Sequence, residues 1–514
     1  MAWDIVIAGG GFGGYYTART LERILPPHSA RITLVNDVNF MLYTPLLPGA
    51  AAGSLEPRHV VVPLREELRS SDLWLGHVVG AEPERNVLIV DSVDGRRHEL
   101  RYDQLVVALG SISRTLPIPG LAEHAVGFKT LSEAIALRHR VISLLEIAET
   151  VPNAEDRAEY LTIVFAGAGY AGLEGLAELQ DFITDVLHLY QRCRVQGVRF
   201  ILVEAKDRVM QEVAPSLAAF AQRELRGRGI ELRLNATVQE VGPRAITLSD
   251  GEVIRTRTVA WTAGVKPSPV LARLGLPITE QGRVVADRTM RVPGFDNVWA
   301  IGDAAAVPDP ARPGHPCPPT AQHAIRQGRR VARNIAAELG AGGTVRPFTY
   351  KTKGVFVDMG RNRAVASTMG IRWRGFPAWF LARTYHMANM PGFERKARLL
   401  VDWTVSLLFS RDISELGQIG NPPELERDVS GATARRPAEL PRGAEPADLG
   451  GLGCRGHAAG EVPGGDLRGG PLDLAQAAQG ALHGPGADDR ADHEDGDGAG
   501  QQQQRRRADD RLHL

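Results

Sequence analysis

Two glycine-rich turns carry the chemistry most visible in this chain. The first, Asp4-Ile-Val-Ile-Ala-Gly-Gly-Gly-Phe-Gly-Gly, places Gly9, Gly11 and Gly14 directly after an apolar run. In such a GxGxxG turn the first glycine permits a tight strand-to-helix reversal and the second lets a pyrophosphate approach the backbone. The third lets the helix pack closely on the strand, and the helix N-terminus meets the phosphate charge. The motif recurs in Leu161-Thr-Ile-Val-Phe-Ala-Gly-Ala-Gly-Tyr-Ala-Gly, at Gly167, Gly169 and Gly172. One such turn is a weak sign of nucleotide binding, and two in series are far more specific.

The residues that end the following strands differ. Val198-Arg-Phe-Ile-Leu-Val-Glu finishes on Glu204. A carboxylate there accepts hydrogen bonds from a free 2′-hydroxyl and repels a 2′-phosphate, so the second turn favours NAD(H) over NADP(H). Lys206 and Arg208 argue the other way, unless they belong to a solvated loop. In the first unit, Arg31-Ile-Thr-Leu-Val-Asn-Asp puts Asn36 at the strand end with Asp37 next, and either could bond the adenosine ribose. Two further segments assign FAD to the first turn. Leu105-Val-Val-Ala-Leu-Gly-Ser, with Ala108 and Gly110, closes a strand with small residues where the chain crosses between domains. Val298-Trp-Ala-Ile-Gly-Asp sets Asp303 beside Gly302, where a carboxylate can bond flavin ribityl hydroxyls and a glycine lets the backbone come close. The plainer use of Asp303 is to cap the helical turn that follows.

Parallel sheets are needed to position these turns. Strand-like runs at Asp4–Ala8, Arg31–Val35, Gln104–Ala108, Leu161–Ala166, Arg199–Glu204, Thr258–Trp261 and Val298–Ile301 end in glycine or turn residues. Several precede helix-period segments, which predicts an α/β fold with two Rossmann-like dinucleotide-binding domains. We expect an FAD-binding domain from residues 1–115 and 282–345, an NAD(H)-binding domain over 116–281, and a C-terminal region over 346–420. From Asn421 to Leu514 the sequence has no Phe, Trp, Tyr, Ile or Met. Such a segment cannot bury enough surface to offset its ordering entropy, so 421–514 reads as a disordered tail or as a shifted-frame extension of a GC-rich gene.

Composition narrows the function classes. With 514 residues the prior is two or three domains. Sixty basic and sixty acidic side chains give no net charge, against a dedicated nucleic-acid binder. Cys193, Cys317 and Cys454 are far apart and in no CxxC spacing, which excludes a disulfide scaffold and a cysteine-rich metal or iron–sulfur site. No metal is expected, and a reducing compartment fits. The N-terminus lacks the features of a signal peptide, and no run of about 18 apolar residues offers an ordinary spanning helix. A soluble or surface-attached intracellular protein is expected.

With these motifs in this order, the chain resembles the two-dinucleotide-binding flavoproteins and, more narrowly, the type II NADH dehydrogenases (NADH:quinone oxidoreductases without proton pumping). The resemblance spans roughly residues 3–418. It rests on Gly9–Gly14, Tyr43-Thr-Pro-Leu-Leu, Val106-Val-Ala-Leu-Gly, Gly167–Glu174, Trp261-Thr-Ala-Gly-Val, Ile301-Gly-Asp and Pro319-Thr-Ala-Gln-His-Ala-Ile-Arg-Gln-Gly. It implies FAD and NAD(H) as cofactors, with Gly264 on the NAD side and Ala321 against the flavin. It also implies Gln322 as the quinone-side residue and Glu174 as a proton-handling or positioning group where nicotinamide meets flavin. Without the resemblance, Gln322 is a polar residue opening the helix Ala321–Leu339, and Glu174 is a favourable charge in the first turn of its helix.

The implied partners are NADH, a membrane quinone (menaquinone or ubiquinone), the membrane surface and a second copy of the chain. Pro48-Gly49 replaces a polar pair found in some members, and Arg374 stands where several carry Lys. Disulfide reductases of the superfamily need a cysteine pair soon after the first strands, and the first cysteine here is Cys193. Sulfide:quinone oxidoreductases need several cysteines at the flavin, where Cys317 stands alone. The alternatives are a reductase of the same fold with another acceptor (oxygen, an iron–sulfur protein or sulfide) or a non-catalytic NADH-sensing flavoprotein.

Between Tyr350 and Asp412 the texture changes. Trp373, Phe376, Trp379, Phe380 and Tyr385 cluster with Arg372, Arg374 and Arg383, and Arg395, Lys396 and Arg398 precede Leu399-Leu-Val-Asp-Trp-Thr-Val-Ser-Leu-Leu-Phe. Aromatic residues with flanking cations, on helices too short to span, form the pattern of helices lying in a membrane interface. Packing on the body or against a second copy would use the same residues. With a lipid-soluble acceptor, the expected location is the cytoplasmic side of the cell membrane, with Asp402 turned away from lipid.

Overall fold

The computed structural model describes residues 2–352 and 354–415; the expected tail over 421–514 lies outside them. The chain begins with β1 (Trp3–Ala8), β2 (Ala30–Asn36), β3 (Ser71–Glu82), β4 (Val87–Ser92), β5 (Arg97–Arg101) and β6 (Gln104–Val107). A second group follows: β7 (Val126–Gly127), β8 (Thr162–Ala166), β9 (Arg199–Glu204), β10 (Glu231–Leu234) and β11 (Thr258–Trp261). The chain then returns through β12 (Val298–Ala300). The first sheet has the order β12-β6-β1-β2-β3-β4-β5 and the second β7-β11-β8-β9-β10. Both are parallel around their glycine turns, with β4 and β5 added antiparallel at the edge of the first.

The expected strands are present to within a residue at each end, and their composition explains the topology. All five residues of β8 and the last four of β1 are buried, as in a sheet covered on both faces by crossover helices. The helices that matter for the site are α1 (Phe12–Ile24), α2 (Leu131–Thr150), α3 (Tyr170–Val186), α4 (Ala321–Glu338), α5 (Gly375–Asn389) and α6 (Phe393–Leu408). One core surrounds the first sheet through Ile5, Ile7, Leu34, Leu105 and Trp299, and another surrounds the second through Phe165, Leu176, Phe182 and Leu202. Two short strands, Ser111–Ser113 and Val265–Pro267, pair antiparallel where the chain passes between the two.

Helix α4 lies directly on α1. A Cβ on Gly328 would sit 2.4 Å from the Gly13 carbonyl oxygen, so a glycine is what lets the two backbones approach. The Thr17 hydroxyl donates to the Gly13 carbonyl at 2.8 Å and to that of Gly328 at 3.3 Å, closing the contact.

The C-terminal region bridges both cores. An antiparallel sheet of β13 (Gly354–Asp358), β14 (Ala364–Thr368) and β15 (Ile371–Arg374) gives Val357, Met359 and Val365 to the second core. Helix α6 gives Leu399 and Trp403 to the first. The cluster of aromatics and cations is divided by this packing. Phe376 and Phe380 are exposed, whereas Trp379 is buried and Arg383 stacks between Trp379 (4.1 Å) and Trp403 (4.9 Å). Arg395 is buried as well, with Nη1 2.9 Å from Glu67 and Nη2 2.5 Å from Glu66. Arg383 and Arg395 therefore pin the helices to the body rather than flank an interface. Asp402 does face inward, with Oδ2 accepting from Glu56 N at 3.1 Å and lying 2.7 Å from His59 Nδ1. The outer face of α6 exposes Phe393, Leu400, Val401, Val405 and Leu408. No helix among the described residues is long and apolar enough to cross a membrane.

Candidate active site

The first glycine turn is shaped by backbone contacts. Gly9 has φ +107°, and a Cβ there would sit 2.4 Å from the Ala108 carbonyl oxygen; one on Gly14 would sit 1.8 Å from that of Gly9. At Gly11, the N-cap of α1, a Cβ would meet nothing within 4 Å. That open side is where a pyrophosphate has room to reach the helix N-terminus. Asn36 closes the turn: its Oδ1 accepts from Gly10 N at 2.7 Å and its Nδ2 donates to the Val38 carbonyl at 2.8 Å. Asp37 points to solvent, 3.1 Å from His77. Of the two residues offered by the sequence, Asn36 thus lies against the turn.

The second turn repeats this design. Gly167 has φ +110°, a Cβ on Gly172 would sit 1.9 Å from the Gly167 carbonyl oxygen, and Gly169 again has open space. Glu204 Oε2 accepts from Ala168 N at 2.7 Å and its Oε1 from Lys206 N at 3.0 Å. A carboxylate has about four acceptor positions, so capacity for ribose hydroxyls remains. The guanidinium of Arg208 is tied to the carbonyls of Val213 (3.1 Å) and Gln211 (3.0 Å), and Lys206 is exposed. Gly264, at φ +89°, also has space beside it on the return from β11.

Asp303 follows β12 and is tied to the short strands where the chain passes between the two cores. Gly302 has φ +68°, and its N–H donates to Gln327 Oε1 at 2.7 Å, which fixes α4 against the strand end. Asp303 makes no side-chain cap; its Oδ2 accepts from the Ser111 hydroxyl at 2.6 Å. Ser111 in turn accepts from Lys129 Nζ at 2.8 Å. Burial lowers the Lys129 pKa while the Asp303 charge opposes the shift. Ser111 ends the Leu105–Ser111 segment without having been given a role, and Lys129 lies in no motif; the Ser111–Asp303 contact spans 192 positions. Asp303 Oδ1 has no partner among the described residues, which leaves it available to ribityl hydroxyls. The open glycine turn, Ala108, Gly110 and Asp303 together fit a flavin nucleotide.

Gln322 lies near the start of α4. Its Nε2 donates to the Gly354 carbonyl at 3.0 Å and its Oε1 accepts from Tyr350 OH at 2.7 Å. Arg326 stacks over the Tyr350 ring at 4.1 Å. Ala321 precedes it as the first residue of α4, after the N-cap Thr320.

Glu174 corrects one expectation. Helix α3 starts at Tyr170, so Glu174 sits in the second turn, not the first, and is no N-terminal charge. Its Oε1 accepts from Asp358 N at 2.9 Å, and burial pushes its carboxyl well above the ordinary carboxylate range. Asp358 is raised too, by burial and then by the neighbouring Glu178 charge, with Arg383 opposing. Glu178 is buried against Arg411, with Nη2 3.3 Å from its Oε2. Glu174, Glu178, Asp181 and Asp185 recur at helical spacing along α3, a pattern that could have flagged the cluster from sequence. A narrow cavity of about 30 Å³ opens beside Glu174, lined among others by Leu46, Phe356, Asp358, His386 and Trp403. Burial lowers the His386 pKa to about 4, so its imidazole is neutral at physiological pH.

Cys193 and Cys317 are free and buried, and burial raises their thiols to about 12 and about 11. Neither is a ready nucleophile at neutral pH.

Two dinucleotide-type glycine turns in series define a class, and residues 3–328 match the family model of the pyridine nucleotide-disulphide oxidoreductases. The chain is 33% identical over 425 residues to the type II NADH:quinone oxidoreductase Ndh of Mycobacterium tuberculosis, covering 79% of this chain and 88% of that one. It is 29% identical over 419 residues to a probable NADH dehydrogenase of Dictyostelium discoideum, covering 80% and 90%. The structure of NDH2 from Plasmodium falciparum in complex with NADH shares the fold, with a TM-score of 0.75 at 17% identity, covering 80% of this chain and all of that one. The chain belongs to the type II NADH:quinone oxidoreductases, within the pyridine nucleotide-disulphide oxidoreductase family.

Proposed function

We propose that FAD occupies the first glycine turn and NADH the second, and that a membrane quinone is reduced on the Gln322 side. As a member of its family the chain is an FAD-dependent oxidoreductase that takes NADH as donor and a quinone as acceptor. The FAD-binding domain comprises residues 1–115 and 282–345 and the NAD(H)-binding domain 116–281, a division supported by the return of β12 to the first sheet. Bound FAD supplies a two-electron carrier between donor and acceptor.

The chain's own residues bind, orient and hold protons. Gly9, Gly11 and Gly14 cradle the flavin pyrophosphate, with Asn36 fixing the turn, Ala108 and Gly110 beside it, and Asp303 holding the ribityl chain. Gly167, Gly169, Gly172 and Gly264 shape the NADH cleft, and Glu204 selects a free ribose. Reduction of a quinone to a quinol consumes NADH and one proton and yields NAD⁺. Glu174, whose carboxyl burial pushes well above the ordinary range, is suited to supply that proton, with Asp358, also raised by burial, in the same cavity. Gln322 positions the acceptor while it holds Tyr350 and the Gly354 carbonyl in place.

The exposed apolar face of α6, with Phe376 and Phe380 on α5, supports peripheral attachment to a membrane on the side that holds NADH. The observation that carries the whole reading is the pair of like glycine turns, each with a first glycine at positive φ and open space at its second. Replacing Gln322 with Leu should slow reoxidation by a short-chain quinone by about tenfold or more while bleaching by NADH stays near wild type. Equal loss in both half-reactions would contradict the assignment.

A further inference from the structure

A second, larger cavity lies away from both clefts. It measures about 530 Å³ and sits between the C-terminal half of α1, the middle of α4 and the turn that joins α5 to α6. Five of its lining side chains are cationic (Arg19, Arg23, Arg329, Arg333 and Lys396), and no carboxylate lines it. Arg19 alone among them approaches an acid, Glu67 at 3.9 Å, and Glu67 already holds Arg395 at 2.9 Å. Arg23, Arg329 and Arg333 make no ion pair among the described residues. Arg329 is held over the Tyr16 ring at 4.8 Å, and Lys396 Nζ donates to the Ala388 carbonyl at 3.0 Å.

This arrangement costs the folded protein stability. Arg19 and Arg23 are one turn apart on α1, as are Arg329 and Arg333 on α4, and like charges at that spacing repel. Among the described residues Glu67, 3.9 Å from Arg19, is the one carboxylate in ion-pair contact with any of the four, so an anion in the cavity would relieve them further. The glycine turn that receives a pyrophosphate is at the opposite end of α1, so the cavity is not a continuation of the flavin cleft. The neighbourhood narrows the choice of anion. The lining includes Ile24, Met390, Pro391 and Gly392, and Phe393, which follows Gly392, is 87% exposed at the start of the apolar face of α6. A cationic recess opening beside an apolar helix face suits a ligand with a charged head and an apolar body.

We propose that this cavity binds the phosphodiester headgroup of an anionic lipid, with the acyl chains lying along Phe393 and the outer face of α6. The site rests on the membrane-attached reading above. It makes attachment selective for anionic bilayers and fixes the α5–α6 turn at the depth of the lipid phosphates.

The test uses the full chain with its flavin and compares co-sedimentation with vesicles of phosphatidylcholine alone and of phosphatidylcholine with about one-third phosphatidylglycerol. In R23Q/R333Q, which removes two cations without an ion-pair partner, binding to the anionic vesicles should fall about tenfold or more. The charge-matched R372Q/R374Q, on β15 outside the cavity, should change it by less than about threefold. Dihexanoylphosphatidylglycerol below its micelle concentration should raise the Tm of the wild type and not of R23Q/R333Q, and inorganic phosphate should raise neither. Equal anionic binding by wild type and R23Q/R333Q, or equal loss in the two variants, would overturn the proposal. An equal rise with inorganic phosphate would overturn the lipid as source. Failure of the wild type to bind either vesicle would instead overturn the membrane reading beneath it.

Discussion

The two glycine turns share their backbone and differ in the side chain that closes each. Gly9 and Gly167 have φ +107° and +110°, and in each unit the residue after that glycine donates its N–H at 2.7 Å to the side chain ending the second strand. In the first unit that side chain is Asn36, whose amide is spent on the Val38 carbonyl. In the second it is Glu204, charged and with acceptor positions to spare. On the proposed reading the glycines set where a pyrophosphate lies, and the strand-end residue sets which ribose is accepted. On the same reading the first cleft has no charged residue at its ribose end, and Asp303 would hold the ribityl chain at the other.

Breaking the shared backbone has the largest expected effect. Gly14→Ala or Gly172→Ala forces a Cβ to 1.8 or 1.9 Å from a carbonyl oxygen, and each should cost more than about 3 kcal/mol, read as loss of soluble protein or of Tm. Gly11→Ala and Gly169→Ala, where a Cβ meets open space, should leave the fold intact and separate the clefts. The first should purify with less flavin; the second should keep its flavin and raise the KM for NADH about tenfold or more. Removing the one distinguishing carboxylate is milder. Glu204→Ala should reduce the preference for NADH over NADPH by about tenfold to a hundredfold, measured as the ratio of kcat/KM values.

A further effect concerns pH. His386 titrates near 6.5 when unfolded and at about 4 when folded, so between those values the unfolded state binds more protons. Stability should fall as pH drops through that window, by up to about 1.4 kcal/mol per pH unit for this group, with no further loss below it. Glu174 and Asp358 act with the opposite sign, because their raised pKa values favour the folded state as pH falls. The difference in denaturation midpoints between wild type and His386→Phe, measured across the window, isolates the imidazole; a slope unchanged by the substitution would contradict its burial as a neutral ring.

Much of this comparison was legible in the sequence, because each glycine turn is local and its strand is a short apolar run. Asn36 and Asp37 could not be told apart, since which of two adjacent residues turns inward depends on the twist at the strand end. Glu174 was recognised but placed a turn too early, because the helix starts only at Tyr170. What raises its carboxyl is burial, under a strand that brings Asp358 N to it from 184 positions away, and no local pattern encodes that. The Lys129–Ser111–Asp303 chain was hidden for the same reason. Arg383 and Arg395 read as interfacial cations because basic residues beside aromatic ones have that look in one dimension. In three dimensions Trp379, Trp403 and the Glu66–Glu67 pair enclose them.

The most direct test of two clefts sharing one junction is the visible spectrum of the purified full chain under anaerobic conditions. The flavin absorbance should bleach on adding NADH, far less readily on adding NADPH, and return on adding menaquinone or ubiquinone. A protein that takes up no flavin, or whose colour NADH leaves unchanged, would contradict the account.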